Sequence, residues 1–195
     1  RSSDLASAAP LALPNFEAAA AQLQSTVRSL RAASVKAAGA DIGPRLDSLS
    51  WDLQRAEQDA SRMRSDLRFL MTRVNAVPPG GRRDPNLGWD LQLFNRDLES
   101  MVRDAQWRLN DLRSLSAQAQ KDPGLAPHAQ RVVDAARSLQ SDAQWLLFDA
   151  RFDVSDLRRA GFTFESMDLD RDSRDLDQGA RDLQSEAERL LGKVR

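Results

Sequence analysis

Nine apolar residues between Leu46 and Val74 recur in alternating steps of three and four without a miss: Leu46, Leu49, Leu53, Ala56, Ala60, Met63, Leu67, Leu70 and Val74. This is the a/d repeat of helices that pack along a left-handed supercoil, and a strand, whose side chains alternate with period two, cannot use it. The repeat returns as Leu87, Leu91, Phe94, Leu98, Met101 and Ala105, slips at Arg108, and resumes through Leu109, Leu112 and Leu115. Near the C-terminus it reads Leu176, Ala180, Leu183, Ala187, Leu190 and Val194. A weaker version runs through Phe16, Ala20, Leu23, Val27 and Leu30. Val102, Leu109, Leu147 and Val154 widen the stripe beyond a two-stranded seam, which points to a multi-helix bundle.

The stretch Ser141 to Leu157 carries two apolar seams. One is Ala143, Leu146, Leu147, Ala150, Val154 and Leu157; the other is Trp145, Phe148 and Phe152, on roughly the opposite face. A helix apolar on two sides has to be covered on two sides, by its own chain or by a partner. Here the expectation is that neighbouring helices cover the aromatic seam and make it core.

Proline and glycine supply the breaks. Between Pro14, Gly39 to Pro44, Pro78 to Pro85, Pro123 to Pro127 and Gly161 run long proline-free stretches rich in Ala, Leu, Arg and Gln. Asp84-Pro85 and Asp122-Pro123 each join an N-cap acceptor to a residue pre-set for the first helical turn. Five helices are predicted, at roughly 14–38, 44–76, 85–120, 124–160 and 168–193. Residues 1–13 are expected to be a flexible N-terminal segment and 14–195 a single domain. The fold class is all-α: an elongated antiparallel up-and-down bundle of four to five long helices with heptad-type packing, about 50 Å long at ~1.5 Å per residue.

Acidic residues follow the same period. Aspartate recurs every seven residues as Asp52, Asp59 and Asp66, as Asp90, Asp97, Asp104 and Asp111, as Asp142, Asp149 and Asp156, and as Asp168, Asp175 and Asp182. Each sits on the shoulder of the seam, where it meets arginine from its own or a neighbouring helix. Expected same-helix pairs include Arg55 with Asp59, Arg62 with Asp66, Asp104 with Arg108, and Asp177 with Arg181. Two tetrapeptides, WDLQ at Trp51 and Trp89 and DAQW at Asp104 and Asp142, repeat 38 residues apart, which suggests duplication.

Bulk charge excludes some functions. With 28 basic and 29 acidic residues the near-zero net charge argues against a nucleic-acid binder that relies on a basic surface overall, as distinct from a local patch. No run approaches the ~20 apolar residues of a membrane span. There is no cysteine, which suits an exported and a cytoplasmic chain alike. An Ala-x-Ala element at Ala6, Ser7 and Ala8 resembles a signal-peptidase site, so a periplasmic or secreted location is expected.

The catalytic inventory is poor. His128 is the single histidine and tyrosine is absent, which rules out cysteine-histidine dyads and multi-histidine metal sites within one chain. His128 reads as a partly exposed first-turn residue. The acidic stretch Asp168 to Asp177 has Ser173 and Gly179 where a calcium loop needs glycine and glutamate. No metal and no cofactor are expected. The loop Val77 to Asn86 places Arg82 and Arg83 beside a helix N-terminus, a candidate anion site, although it lacks Walker spacing and a plain turn is the favoured reading.

Trp51, Trp89 and Trp107 fall at heptad positions f and c, away from the seam, and form the candidate interaction surface. Phe162 and Phe164, in a connector, are expected to plug the bundle end. The expected function is that of a non-enzymatic structural or protein-interaction bundle, with an unidentified protein partner or self-association. The alternative is a carrier holding an apolar small molecule or lipid between helices.

Overall fold

A computed structural model describes residues 13–77 and 85–195, with side chains throughout except Pro85 and most residues before 41. The Ala6-Ser7-Ala8 element, most of the N-terminal segment, and Arg82 and Arg83 lie outside the described residues. Four α-helices form: α1 (Leu13–Asn75), α2 (Pro85–Gln118), α3 (Ala126–Arg159) and α4 (Thr163–Val194). A 3-10 turn at Pro123–Leu125 precedes α3. No strand occurs among the described residues. The chain divides into two compact units, residues 1–38 and 39–195. In the first, Val27 is exposed, and the other residues of its expected seam lie outside the described side chains.

The predicted break at Gly39 to Pro44 does not form, and α1 continues through Pro44. A proline inside a helix removes one hydrogen bond and costs about 3 kcal/mol. Here its ring lies exposed while Ile42 and Leu46 on either side are buried, so packing offsets the lost bond. The neighbouring Gly43 is buried against His128; a Cβ there would lie 3.4 Å from Nε2. Glycine thus serves the close approach of α1 to α3 rather than a turn.

Two other boundaries follow from local chemistry. The Asp122 side chain accepts from the Gly124 N–H at 2.9 Å and caps the 3-10 turn that leads into α3. Gly161 has φ 87°, the left-handed geometry that closes a helix. The Phe162 N–H then bonds back to Leu157 O at 2.8 Å. Consequently α4 starts at Thr163 rather than near 168, and only half of the expected plug exists. Phe162 is buried, whereas Phe164 projects into solvent from the first turn of α4.

Within residues 39–195 the seams meet as one core. Every member of the Leu46 to Val74 repeat is buried, as are the Leu176 to Val194 positions on α4. Successive helices alternate in direction, but neighbours in space are not all neighbours in sequence. α4 packs on α3 and on α2. Ion pairs join α1 to α2 at Arg73 and Asp90, and α1 to α3 at Arg64 and Asp149. The order around the bundle is therefore α1, α2, α4, α3. The neighbours α1 and α3 run parallel, because Asp47 meets His128 and Arg64 meets Asp142 and Asp149 further up both helices. The pair α2 and α4 is parallel too, with Asn95 bonded to Glu165 O and Lys193 to Ser116 O.

Along α4, Gly179 faces α2, where a Cβ would sit at an ordinary 3.6 Å from the Ala105 Cβ. Gly179→Ala is expected to add about 1 kcal/mol through helix propensity, raising Tm by about 2–4 °C. Thermal unfolding checks this, and a lowered Tm would contradict the α2/α4 spacing.

Candidate functional site

Along α3, buried positions run Leu125, Ala129, Val132, Ala136, Leu139, Ala143, Leu146 and Ala150, in steps of four and three. The first apolar seam of Ser141 to Leu157 is accordingly interior, with only Val154 partly exposed. The second is not. Trp145 is 51% exposed, Phe148 50% and Phe152 63%. The expectation that these rings are core is therefore overturned. A bundle of four helices buries one stripe of each, and α3 has no further helix on its outer side among residues 39–195.

The three rings are organised. Trp145 and Phe148 meet edge to face at 5.8 Å between centroids, and Phe148 and Phe152 at 4.8 Å. Such pairs are worth about 0.5–1.5 kcal/mol each beyond area burial, enough to hold the stripe in one arrangement. The Arg64 guanidinium reaches across from α1 and lies 5.6 Å from the Trp145 ring centroid. Arg64 is held at 3.4 Å from Asp149 and 3.9 Å from Asp142, and Arg68 also meets Asp149 at 3.4 Å. The heptad aspartates Asp142 and Asp149 of α3 thus face α1, and the ionic lattice below the stripe fixes its inner edge.

At the upper end of this edge an open groove of about 230 Å³ lies between α1 and α3, lined by Arg68, Met71, Thr72, Phe152 and Asp153. Asp153 occupies the heptad position after Ala150, where the repeat calls for a core residue. Its carboxyl is pushed up to about 6. Burial is the main cause, the Asp149 and Asp156 charges add to it, and Arg68 opposes. Sequence reasoning missed this residue, although the signal was present: extending the three-and-four spacing from Ala143, Leu146 and Ala150 lands on it.

The three candidate tryptophans also project outward. Trp51 is 70% exposed on α1, and Trp89 and Trp107 are 60% and 70% exposed on α2. The two 38-residue echoes take matching outward positions on successive helices: Trp51 with Trp89, and Trp107 with Trp145.

Most other polar features are internally paired, although Ser116 Oγ, Asp177 Oδ1 and Glu186 Oε1 are buried with no hydrogen-bond partner among the described residues. Asp47 lies 2.9 Å from His128 Nδ1 and 3.0 Å from Arg131, an α1–α3 tie at the lower end. In the acidic stretch of α4, Asp170 pairs with Arg174, Asp172 with Arg171 and Asp177 with Arg181, each at 2.8 Å. Among the described residues no three of His, Asp or Glu are grouped to hold a metal ion. Of the four expected same-helix pairs, Arg62–Asp66 and Asp177–Arg181 form, and the other two do not close. A groove of about 300 Å³ between α2 and α4 is lined by Asn95, Arg96, Glu99, Phe164, Arg171 and Asp172. Its main polar groups bond to each other, as Asn95 does to Glu165 O at 2.9 Å and Arg171 to Asp172.

No protein-family model, curated protein or solved structure matches the chain.

Proposed function

We propose that this chain is a non-enzymatic protein-interaction bundle whose binding surface is the outer face of α3. The observation that carries the reading is the uncovered seam: three aromatic rings in edge-to-face contact along a helix whose opposite seam is buried apart from the partly exposed Val154. Aromatic residues with large contact area and little side-chain entropy dominate interface hot spots. Contiguous exposed apolar patches on a folded chain mark interaction sites more often than accidents. The rings are already stacked and clamped by Arg64, so little ordering cost remains for binding.

The helix-one groove of the carrier alternative lies outside the described side chains, and the interior of residues 39–195 offers it little room. The cavity where residues of all four helices meet, lined by Ala56, Ala105, Leu139 and Leu176 among others, is about 20 Å³. An apolar ligand needs several hundred Å³.

Photo-crosslinking from a benzophenone side chain at position 148, in the native host, tests the proposal. A defined polypeptide adduct, lost when Trp145 and Phe152 are changed to alanine, is expected. Adducts no more specific than those from a probe at exposed Ser185 on α4 would remove the assignment.

A further inference from the structure

The seam between α1 and α2 is anionic by construction. Arg73 pairs with Asp90 across it, and Asp59, Asp104 and Arg108 line one small cavity further down. Carried along the two antiparallel helices in steps of seven, that register sets Asp66 opposite Asp97 and Asp52 opposite Asp111, alongside Asp59 and Asp104. All six aspartates are exposed. Among the described residues only Asp66 of the six has an ion-pair partner, Arg62 at 3.9 Å. Like charges set opposite one another across a helix pair are unfavourable, so this seam gains from cations brought by something else. Its outer shoulders carry three exposed apolar side chains, Phe69 on α1 at the level of Leu93 on α2 and Trp107 further down, with Arg55 and Arg62 on the same shoulder of α1.

The outer face of α3 has the opposite character. Of its heptad aspartates, Asp142 and Asp149 turn toward Arg64 on α1 and are mostly shielded, and Asp156 pairs with Arg159 of its own helix. Its arginines Arg137, Arg151, Arg158 and Arg159 are all exposed around the aromatic stripe. Among the described residues Arg151 makes no ion pair, and Arg137 and Arg159 are 60% and 80% exposed even with theirs. α3 lies diagonally across the bundle from α2, so the cationic stripe and the anionic seam point different ways and can be used together.

We propose that the occupant of the α1/α2 groove is α3 of a second copy of this chain. The rings Trp145, Phe148 and Phe152, spanning about 10 Å of helix, then lie against Phe69 and Leu93, and the flanking arginines sit between the two rails of aspartate. Helix-in-groove docking of an amphipathic face is a recurrent recognition mode, and here the charges complement as well. The contact is head-to-tail: each copy keeps a free groove at one end and a free α3 at the other, so association propagates. This rests on the α3 face being an interaction surface and adds the identity of its partner.

Sedimentation velocity on the full chain, over about a hundredfold range of concentration, tests it. Species beyond a dimer are expected to grow with concentration and to recede on raising salt from about 0.05 to about 0.5 M. Two variants then separate the faces: Asp59→Lys with Asp104→Lys in the groove, and Phe148→Ser with Arg151→Glu on α3. Each alone is expected to weaken association at least about tenfold. Mixed together, they restore a single 1:1 complex that grows no further, because one intact groove meets one intact α3. A misfolded variant could not complement, so the mixture also checks folding. The inference is overturned by a wild-type chain that stays monomeric, by association that either variant leaves intact, or by a mixture that fails to pair. A monomer that still gives a defined, ring-dependent adduct from position 148 would overturn the choice of partner alone and leave the α3 surface standing.

Discussion

Leu146→Ala is expected to lower the unfolding free energy by about 3–4 kcal/mol, whereas Trp145→Ala, one residue earlier, costs less than about 1.5 kcal/mol. The contrast follows from where the two side chains point. Leu146 is fully buried among residues from facing helices, so truncation loses transfer free energy and leaves a cavity the rigid helix pair cannot close. Trp145 is half exposed, and its removal forfeits the Arg64 contact and one edge-to-face pair. Denaturant unfolding of the two variants, compared at equal slope, measures both. A Trp145→Ala loss as large as that of Leu146→Ala would mean the aromatic seam is core after all.

Asp153 gives the second large effect. The folded chain holds a proton on this carboxyl up to about pH 6, while the unfolded chain releases it near the ordinary 3.8. Between those values the folded state binds more protons, so stability from this group is greatest below about pH 4 and is lost as pH rises through 6. Solvent screening of a half-buried carboxyl limits the loss to about 1–2 kcal/mol. Asp153→Asn is therefore expected to stabilise the protein by about that amount at pH 7–8 and to be nearly neutral at pH 4. Asp153→Leu goes further at pH 7–8 because it also completes the seam. Plotting the free-energy difference between each variant and the wild type against pH isolates this group from the other carboxylates. A flat difference would show that Asp153 does not titrate in this window.

Much of this was legible in the sequence because a helix seam is a local pattern. Leu46 to Val74 is buried as the three-and-four spacing requires, and Asp122-Pro123 opens a turn as its chemistry requires. The break at Pro44 was misread because proline and glycine state a local preference, whereas burial of Ile42 and Leu46 and the approach of Gly43 to His128 are tertiary facts. The order α1, α2, α4, α3 was not legible at all, since a heptad says which face is inward and not which helix it meets. Position told correctly that Trp51, Trp89, Trp107, Trp145 and Phe152 turn away from the first seam. Whether another helix then covers a ring depends on how many helices surround it. For Trp145, Phe148 and Phe152 the answer in residues 39–195 is none.

The most direct test of that claim is acrylamide quenching of a chain with Trp145 as the sole tryptophan, made by Trp51→Phe, Trp89→Phe and Trp107→Phe, at high dilution. Emission near that of a solvated indole, quenched with at least about half the efficiency of the free side chain, is the predicted result. Blue-shifted emission that resists quenching in the dilute monomer would place the ring inside its own bundle and contradict the account.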